Sequence, residues 1–292
     1  MSSTTRDRWA EWLAERRFGG DPEHRATVLS ELVRTRDSVL DRAELRVGET
    51  LLDVGCGEGL IGFGALERGA GVVIFSDIST DLLEFCREAA AGLGLEGRCR
   101  FVESPADDLE PIADESVDVV TTRSVLIYVK EKAAAFGEFA RVLRPGGRIS
   151  LWEPINRFGS GERRNVGFVG YPNSGLGEIT AKLHALYDAI QPPDSDPMLD
   201  FDERDLLQLA EESGFSPIRL TLDARIESSE PRSWDGFLDT AWNPNVPTLR
   251  EAMEQTLSPE EREELTVQLR PLVERGAGEW RMAFAQLSAE RP

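Results

Sequence analysis

The stretch Leu51-Leu52-Asp53-Val54-Gly55-Cys56-Gly57-Glu58-Gly59-Leu60-Ile61-Gly62 decides the fold. Leu51, Leu52 and Val54 read as a buried strand, the alternating glycines as a turn, and the residues after Gly59 as the start of a helix. Glycines at 55, 57 and 59 permit backbone angles that a β-carbon resists. They also let the chain approach a bound cofactor closely, where a helix N-terminus presents free N–H groups. Glu58 suits the first helical turn electrostatically. This is the pattern of a nucleotide-cofactor site.

Two cofactor readings start from these residues. Gly57 to Gly62 also fits the dinucleotide fingerprint G-x-G-x-x-G. Asp53 separates them, because an acid at the end of the first strand would repel a pyrophosphate but suits an ammonium or a sulfonium. The run Asp53 to Gly59, D-V-G-C-G-E-G, resembles the first motif of the class I S-adenosylmethionine-dependent methyltransferases: an acid, any residue, then alternating glycines. That resemblance implies S-adenosyl-L-methionine as cofactor and methyl transfer to a small-molecule acceptor, such as a specialised metabolite. One alternative is an NAD(P)-dependent oxidoreductase, which shares the glycines but leaves Asp53 unexplained. The other is a protein that keeps the cofactor pocket for a non-methylating reaction or as a scaffold.

Outward from the glycines, strands and helices alternate. Strands are expected at 51–54, 72–76, 99–102, 117–121 and 148–152, with helices at 60–68, 81–93 and 133–143. Short apolar strands separated by helices predict an α/β, doubly wound, mostly parallel sheet covered on both faces. The resemblance implies a Rossmann-like sheet of seven strands, with Gly278 to Leu287 as an antiparallel closing strand. Before the sheet, residues 6–17 and 21–45 read as amphipathic helices, the second capped by Asp21 with Pro22 at its first position. Residues 1–47 are expected to form a helical lid and 48–153 the cofactor-binding core. The pattern breaks over 154–200, too long for an ordinary connection, and this segment is expected to be an inserted substrate cap around a helix at 179–189. Residues 201–292 then complete the core, with two or three helices inserted at 231–275.

The expected cofactor contacts follow the strand ends. Asp77, ending strand two about 20 residues beyond the glycines, is placed to accept from ribose hydroxyls. The resemblance adds Cys56 within the loop, Ile78 beside Asp77, and Ala106 and Asp107 toward adenine. Pro105 stands where the family usually has an acid. Arg123 and Ser124 sit at the turn after strand four, the Arg123 carbonyl being the expected acceptor for the cofactor ammonium. In the stretch from Glu153 onward, Glu153, Asn156, Phe158, Phe168, Tyr171, His184 and Tyr187 suit an amphipathic pocket. His184 and Tyr171 are the candidate catalytic pair: imidazole changes charge near neutral pH, and the phenol could orient the acceptor.

Composition narrows the class. The 292 residues carry a net charge of −20, which disfavours nucleic acid or an anionic membrane as partner. Two histidines and three cysteines without C-x-x-C spacing exclude a histidine-rich metal site and suggest reduced thiols. No signal-peptide block or long apolar run is present, so a soluble, cytoplasmic protein is expected, with a small-molecule substrate as partner and a homodimer admissible.

Overall fold

The computed structural model describes residues 6–159 and 167–292. Residues 1–5 of the expected lid and 160–166 of the expected cap lie outside the described residues. The α/β alternation builds one seven-stranded sheet in the order β3-β2-β1-β4-β5-β7-β6. Its strands are β1 (Thr50–Val54), β2 (Val72–Asp77), β3 (Cys99–Glu103), β4 (Val117–Arg123), β5 (Leu143–Pro154), β6 (Ile218–Ser228) and β7 (Glu279–Glu290). The first five are parallel, and β7 runs antiparallel to β5. The closing strand is therefore where it was expected, slipped between β5 and β6.

The helices are α1 (Arg8–Glu11), α2 (Pro22–Arg42), α3 (Leu60–Glu67), α4 (Thr80–Leu93), α5 (Lys132–Val142), α6 (Gly177–Ile190), α7 (Glu203–Glu212), α8 (Trp234–Leu238), α9 (Leu249–Thr256) and α10 (Pro259–Glu274). The expected first helix is α1 followed by a π-helical turn, Trp12–Arg16. Asp21 caps α2 by accepting from the N–H groups of Glu23 and His24.

The chain packs as two units. The sheet unit comprises Ser30–Ile155, Phe201–Asp223 and Phe284–Pro292; the helical unit comprises the described residues up to Leu29, Asn156–Asp200 and Ala224–Ala283. This partition changes over between Asp200 and Phe201, as the expected cap does, but it divides the expected lid after Leu29 and the expected 201–292 segment after Asp223 and Ala283, for a reason visible in the cores. Val39 and Leu40, at the end of α2, are buried with Leu51, Val73 and Phe75 of the sheet, which draws that part of the lid segment into the sheet unit. Trp234, Phe237, Leu249 and Leu265 pack with Phe168, Tyr171 and Leu183, which joins α8 to α10 to the cap. Burial of these apolar side chains removes surface from water at about 25 cal/mol per Å², so each group folds with the partners it covers.

Candidate active site

In the sheet unit, the β1–α3 loop is held by carboxylates. Gly55, Gly57 and Gly59 have φ of 61°, 54° and 79°, the left-handed region that favours glycine. A β-carbon on Gly55 would stand 2.5 Å from Val125 Cγ2, so this position also needs the missing side chain for space. The Gly57 N–H donates to Asp77 Oδ2 at 2.8 Å, and the Ser79 N–H donates to Asp77 Oδ1 at 2.9 Å. Asp77, at the tip of β2, thus fixes the loop.

Asp53 is only 1% exposed, and its described bonds go to the protein. Oδ2 accepts from the Gly62 N–H at 2.9 Å, within the first turn of α3, and Oδ1 accepts from the Thr121 hydroxyl at 3.2 Å. The acid expected to face a cofactor cation therefore caps the positive end of a helix. Burial pushes its carboxyl up to about 7, against the lowering by those two donors and by Arg123.

Glu153 repeats this device at the end of β5. It accepts from the Thr122 hydroxyl at 2.8 Å and from the N–H groups of Val125 and Ile127 at 3.1 and 3.4 Å. Burial pushes it, too, up to about 7. Thr121 serves the acid of one neighbouring strand and Thr122, on the opposite face of the sheet, that of the other. The sequence reading assigned Glu153 to the pocket-forming stretch; it is instead a fully buried acid of the sheet, holding the turn after β4. In that turn Ser124, with φ of 58°, donates its N–H to the Trp152 carbonyl at 2.8 Å. Desolvation lowers the proton affinity of Arg123, while the charges of Asp53 and Glu153 oppose that loss.

The other expected contacts divide by exposure. Ile78 is 48% exposed beside Asp77, and Ala106 is buried; Asp107 is half-buried. Cys56 lies under the loop beside Cys86, whose thiol donates to the Gly57 carbonyl at 3.3 Å. The hydrogen bond with Cys86 and burial push the Cys56 thiol well up, which keeps it protonated.

The loop geometry bears on which cofactor fits. A pyrophosphate needs backbone N–H groups with no acid beside them, and here Asp77 and Asp53 already occupy those of Gly57 and Gly62. A cofactor without phosphate, carrying an ammonium and a sulfonium, meets complementary charge. Residues 52–151 match the family model described as "Methyltransferase domain". These residues form a class I S-adenosylmethionine-dependent methyltransferase domain. Over this domain the chain is 32% identical across 124 residues to methyltransferase GfsG of Streptomyces halstedii, covering 42% of this chain and 44% of that protein. It is 33% identical across 116 residues to the ubiquinone/menaquinone biosynthesis C-methyltransferase UbiE of a Marinomonas species, covering 39% and 46%. The matches thus span less than half the length of these curated relatives. The structure of a geranyl diphosphate methyltransferase in complex with SAM superposes with a TM-score of 0.54 at 20% identity, covering 99% of this chain and 96% of that one. At that identity the likeness shows the fold of the methyltransferase domain and its additions.

The helical unit has its own cleft, of about 640 Å³. His184 and Tyr187, three residues apart on α6, both line it, with Asn156 and the aromatic rings of Phe168, Trp242 and Trp280. The Phe168 and His184 rings lie 5.4 Å apart and those of Tyr187 and Trp242 5.0 Å apart. Tyr171, the expected partner of His184, is instead 1% exposed and edge-on to Phe237 in the core. The phenol that reaches the cleft wall is Tyr187, and its buried hydroxyl has no hydrogen-bond partner. The sequence offered both tyrosines; only the i, i+3 spacing of His184 and Tyr187 pointed to the second. Trp242, Trp280 and Glu279 come from segments read as insertion and closing strand, without a local signal of ligand binding. Among the described residues no helix is long and apolar enough to cross a membrane.

Proposed function

We propose that this protein transfers the methyl group of S-adenosylmethionine to a small-molecule acceptor. The observation that carries the reading is the Asp77 carboxylate at the tip of β2, bonded to the Gly57 N–H and flanked by exposed Ile78. Bound at the glycine loop, the cofactor supplies an electrophilic methyl group on a sulfonium. Asp77 accepts from the ribose hydroxyls, and Gly55, Gly57 and Gly59 allow the backbone to approach. Ile78, Ala106 and Asp107 receive the adenine, and the Arg123 carbonyl and Ser124 the amino-acid end. Methyl displacement needs alignment and exclusion of water more than a strong base. His184 of the helical unit is the candidate base for the acceptor proton. A small-molecule acceptor accords with relatives named for quinone biosynthesis and for geranyl diphosphate.

The test has two arms. S-adenosylmethionine and its demethylated product should raise the melting temperature, by about 2.7 kcal/mol of stability at a hundredfold excess over Kd; NAD should not. An acceptor screen read by mass should show a methyl gain that falls in His184→Ala. Stabilisation by NAD alone, or cofactor binding without any methylated product, would overturn the assignment.

A further inference from the structure

Arg123 ends β4, and β4 lies beside β1 where the strand order reverses, the crevice in which an open α/β sheet takes its ligand. Thr122 pairs with Val54, so the arginine stands level with Gly55, the first glycine of the loop. Besides Asp53 and Glu153, Tyr128 of the turn after β4 and Glu58 of the glycine loop act on its charge. The guanidinium therefore belongs to the region that these elements share at the C-terminal edge of the sheet.

Other arginines withdrawn from water in the sheet unit are bonded. Arg98, Arg141, Arg148 and Arg291 donate to backbone carbonyls or to acids. Half-buried Arg123 donates to no described residue, and its nitrogens are not sealed in as the Tyr187 hydroxyl and the Arg232 Nε are. The acids beside it direct their oxygens to other donors: Asp53 to Gly62 and Thr121, Glu153 to Thr122, Val125 and Ile127. An arginine keeps its proton even when desolvated, and its planar fork of five donors matches a carboxylate. Leaving those donors unbonded at a half-buried position is unfavourable, and an anionic ligand group relieves it.

We infer that the Arg123 side chain binds the carboxylate at the amino-acid end of the cofactor, while the backbone carbonyl of the same residue takes the ammonium. This rests on reading the glycine loop as the S-adenosylmethionine site. It divides the cofactor by sign: the fork of Arg123 receives the one negative group, and the acids around it favour the positive ones.

Three ligands that differ only at that end test it: S-adenosylhomocysteine, its carboxamide, and 5′-methylthioadenosine, which lacks the amino-acid end. They are titrated into the full chain by calorimetry at about pH 6.5, so that both amino groups stay protonated. The wild type should bind the acid at least about tenfold tighter than the carboxamide. Arg123→Met should weaken S-adenosylhomocysteine about tenfold or more and leave the other two within about threefold. Arg123→Lys, which keeps the charge without the fork, should recover part of that loss. A loss shared equally by all three ligands marks a side chain that only supports the fold, and it would overturn the assignment. So would an unchanged affinity for S-adenosylhomocysteine in Arg123→Met, or a wild type that does not distinguish acid from amide. The last comparison needs no variant and stands even where Arg123→Met fails to fold. A wild type that binds none of the three refutes the cofactor reading together with this assignment, whereas binding of all three without preference for the acid refutes this assignment alone.

Discussion

The two units use polar groups in opposite ways. In the sheet unit, Asp53, Asp77 and Glu153 stand at strand ends, and each is bonded to backbone N–H groups of a neighbouring turn. In the helical unit, aromatic rings line a cleft together with polar side chains such as Asn156, His184, Gln191 and Asn243, and the buried Tyr187 hydroxyl is left unbonded. The sheet unit thus uses its acids to shape loops, while the helical unit lines a cleft with aromatic and polar side chains together. The family match, confined to residues 52–151, falls entirely within the former.

The largest effect should come from Gly55→Val. Its φ of 61° and the 2.5 Å approach of Val125 oppose any side chain, at a cost of about 1 to 3 kcal/mol for the backbone strain alone. Cofactor affinity measured by calorimetry should fall at least about a hundredfold, while hydrogen-exchange protection in the helical unit stays unchanged. Equal loss of protection in both units would show that the two regions do not act separately.

Asp77→Asn comes next. A hydrogen bond to a charged acceptor contributes about 1.5 to 3 kcal/mol, so cofactor binding should weaken roughly ten- to hundredfold with protection of the helical unit intact. Unchanged cofactor affinity would reduce Asp77 to a loop fastener.

pH should move the units in opposite directions. Burial raises Asp53 and Glu153 from 3.8 and 4.5 to about 7. The folded sheet unit therefore holds protons that the unfolded chain has released, and their contribution is present at low pH and lost as pH rises through 7. His24, in the helical unit, is lowered from 6.5 to about 4 by burial and then by Arg232. Its contribution is present above pH 6.5 and lost as pH falls through 4. Hydrogen exchange should show the sheet unit loosening as pH rises from about 4 to 7, and the helical unit loosening as pH falls from 6.5 to about 4. Cofactor affinity should rise as pH passes through 7, where the acids of the folded sheet unit ionise and favour a cation. Asp53→Asn should flatten the sheet unit's response; protection that changes in the same sense in both units would break the comparison.

The smallest expected effect is on stability in Tyr187→Phe. Removing a buried hydroxyl without a partner should leave the melting temperature unchanged or slightly higher. A marked fall would mean that the hydroxyl serves the fold.

How much of this was legible depended on how local the signal was. The glycine run, Asp77 and the alternation of elements were readable because turn geometry and apolar periodicity are properties of a few consecutive residues. Glu153 was not: its proximity to polar segment 154–200 suggested a pocket, whereas its partners Thr122, Val125 and Ile127 lie across the sheet. Asp53 was picked out correctly as unusual, but the helix end it caps is reached only when β1 and α3 fold together.

By itself, then, the sequence determined an α/β sheet, the glycine loop and the acid that anchors it. Tertiary structure alone decided the partition of the chain and the facing of the cap's side chains. α8 to α10 join the cap because their apolar faces find cover on Phe168 and Leu183. Tyr171 turns into that core, and Tyr187 lines the cleft. Both are tyrosines in apolar surroundings, and local sequence does not distinguish a ring that meets Phe237 from one that meets Trp242. That choice is made by packing between segments distant in the chain, where the buried area gained decides which face turns inward.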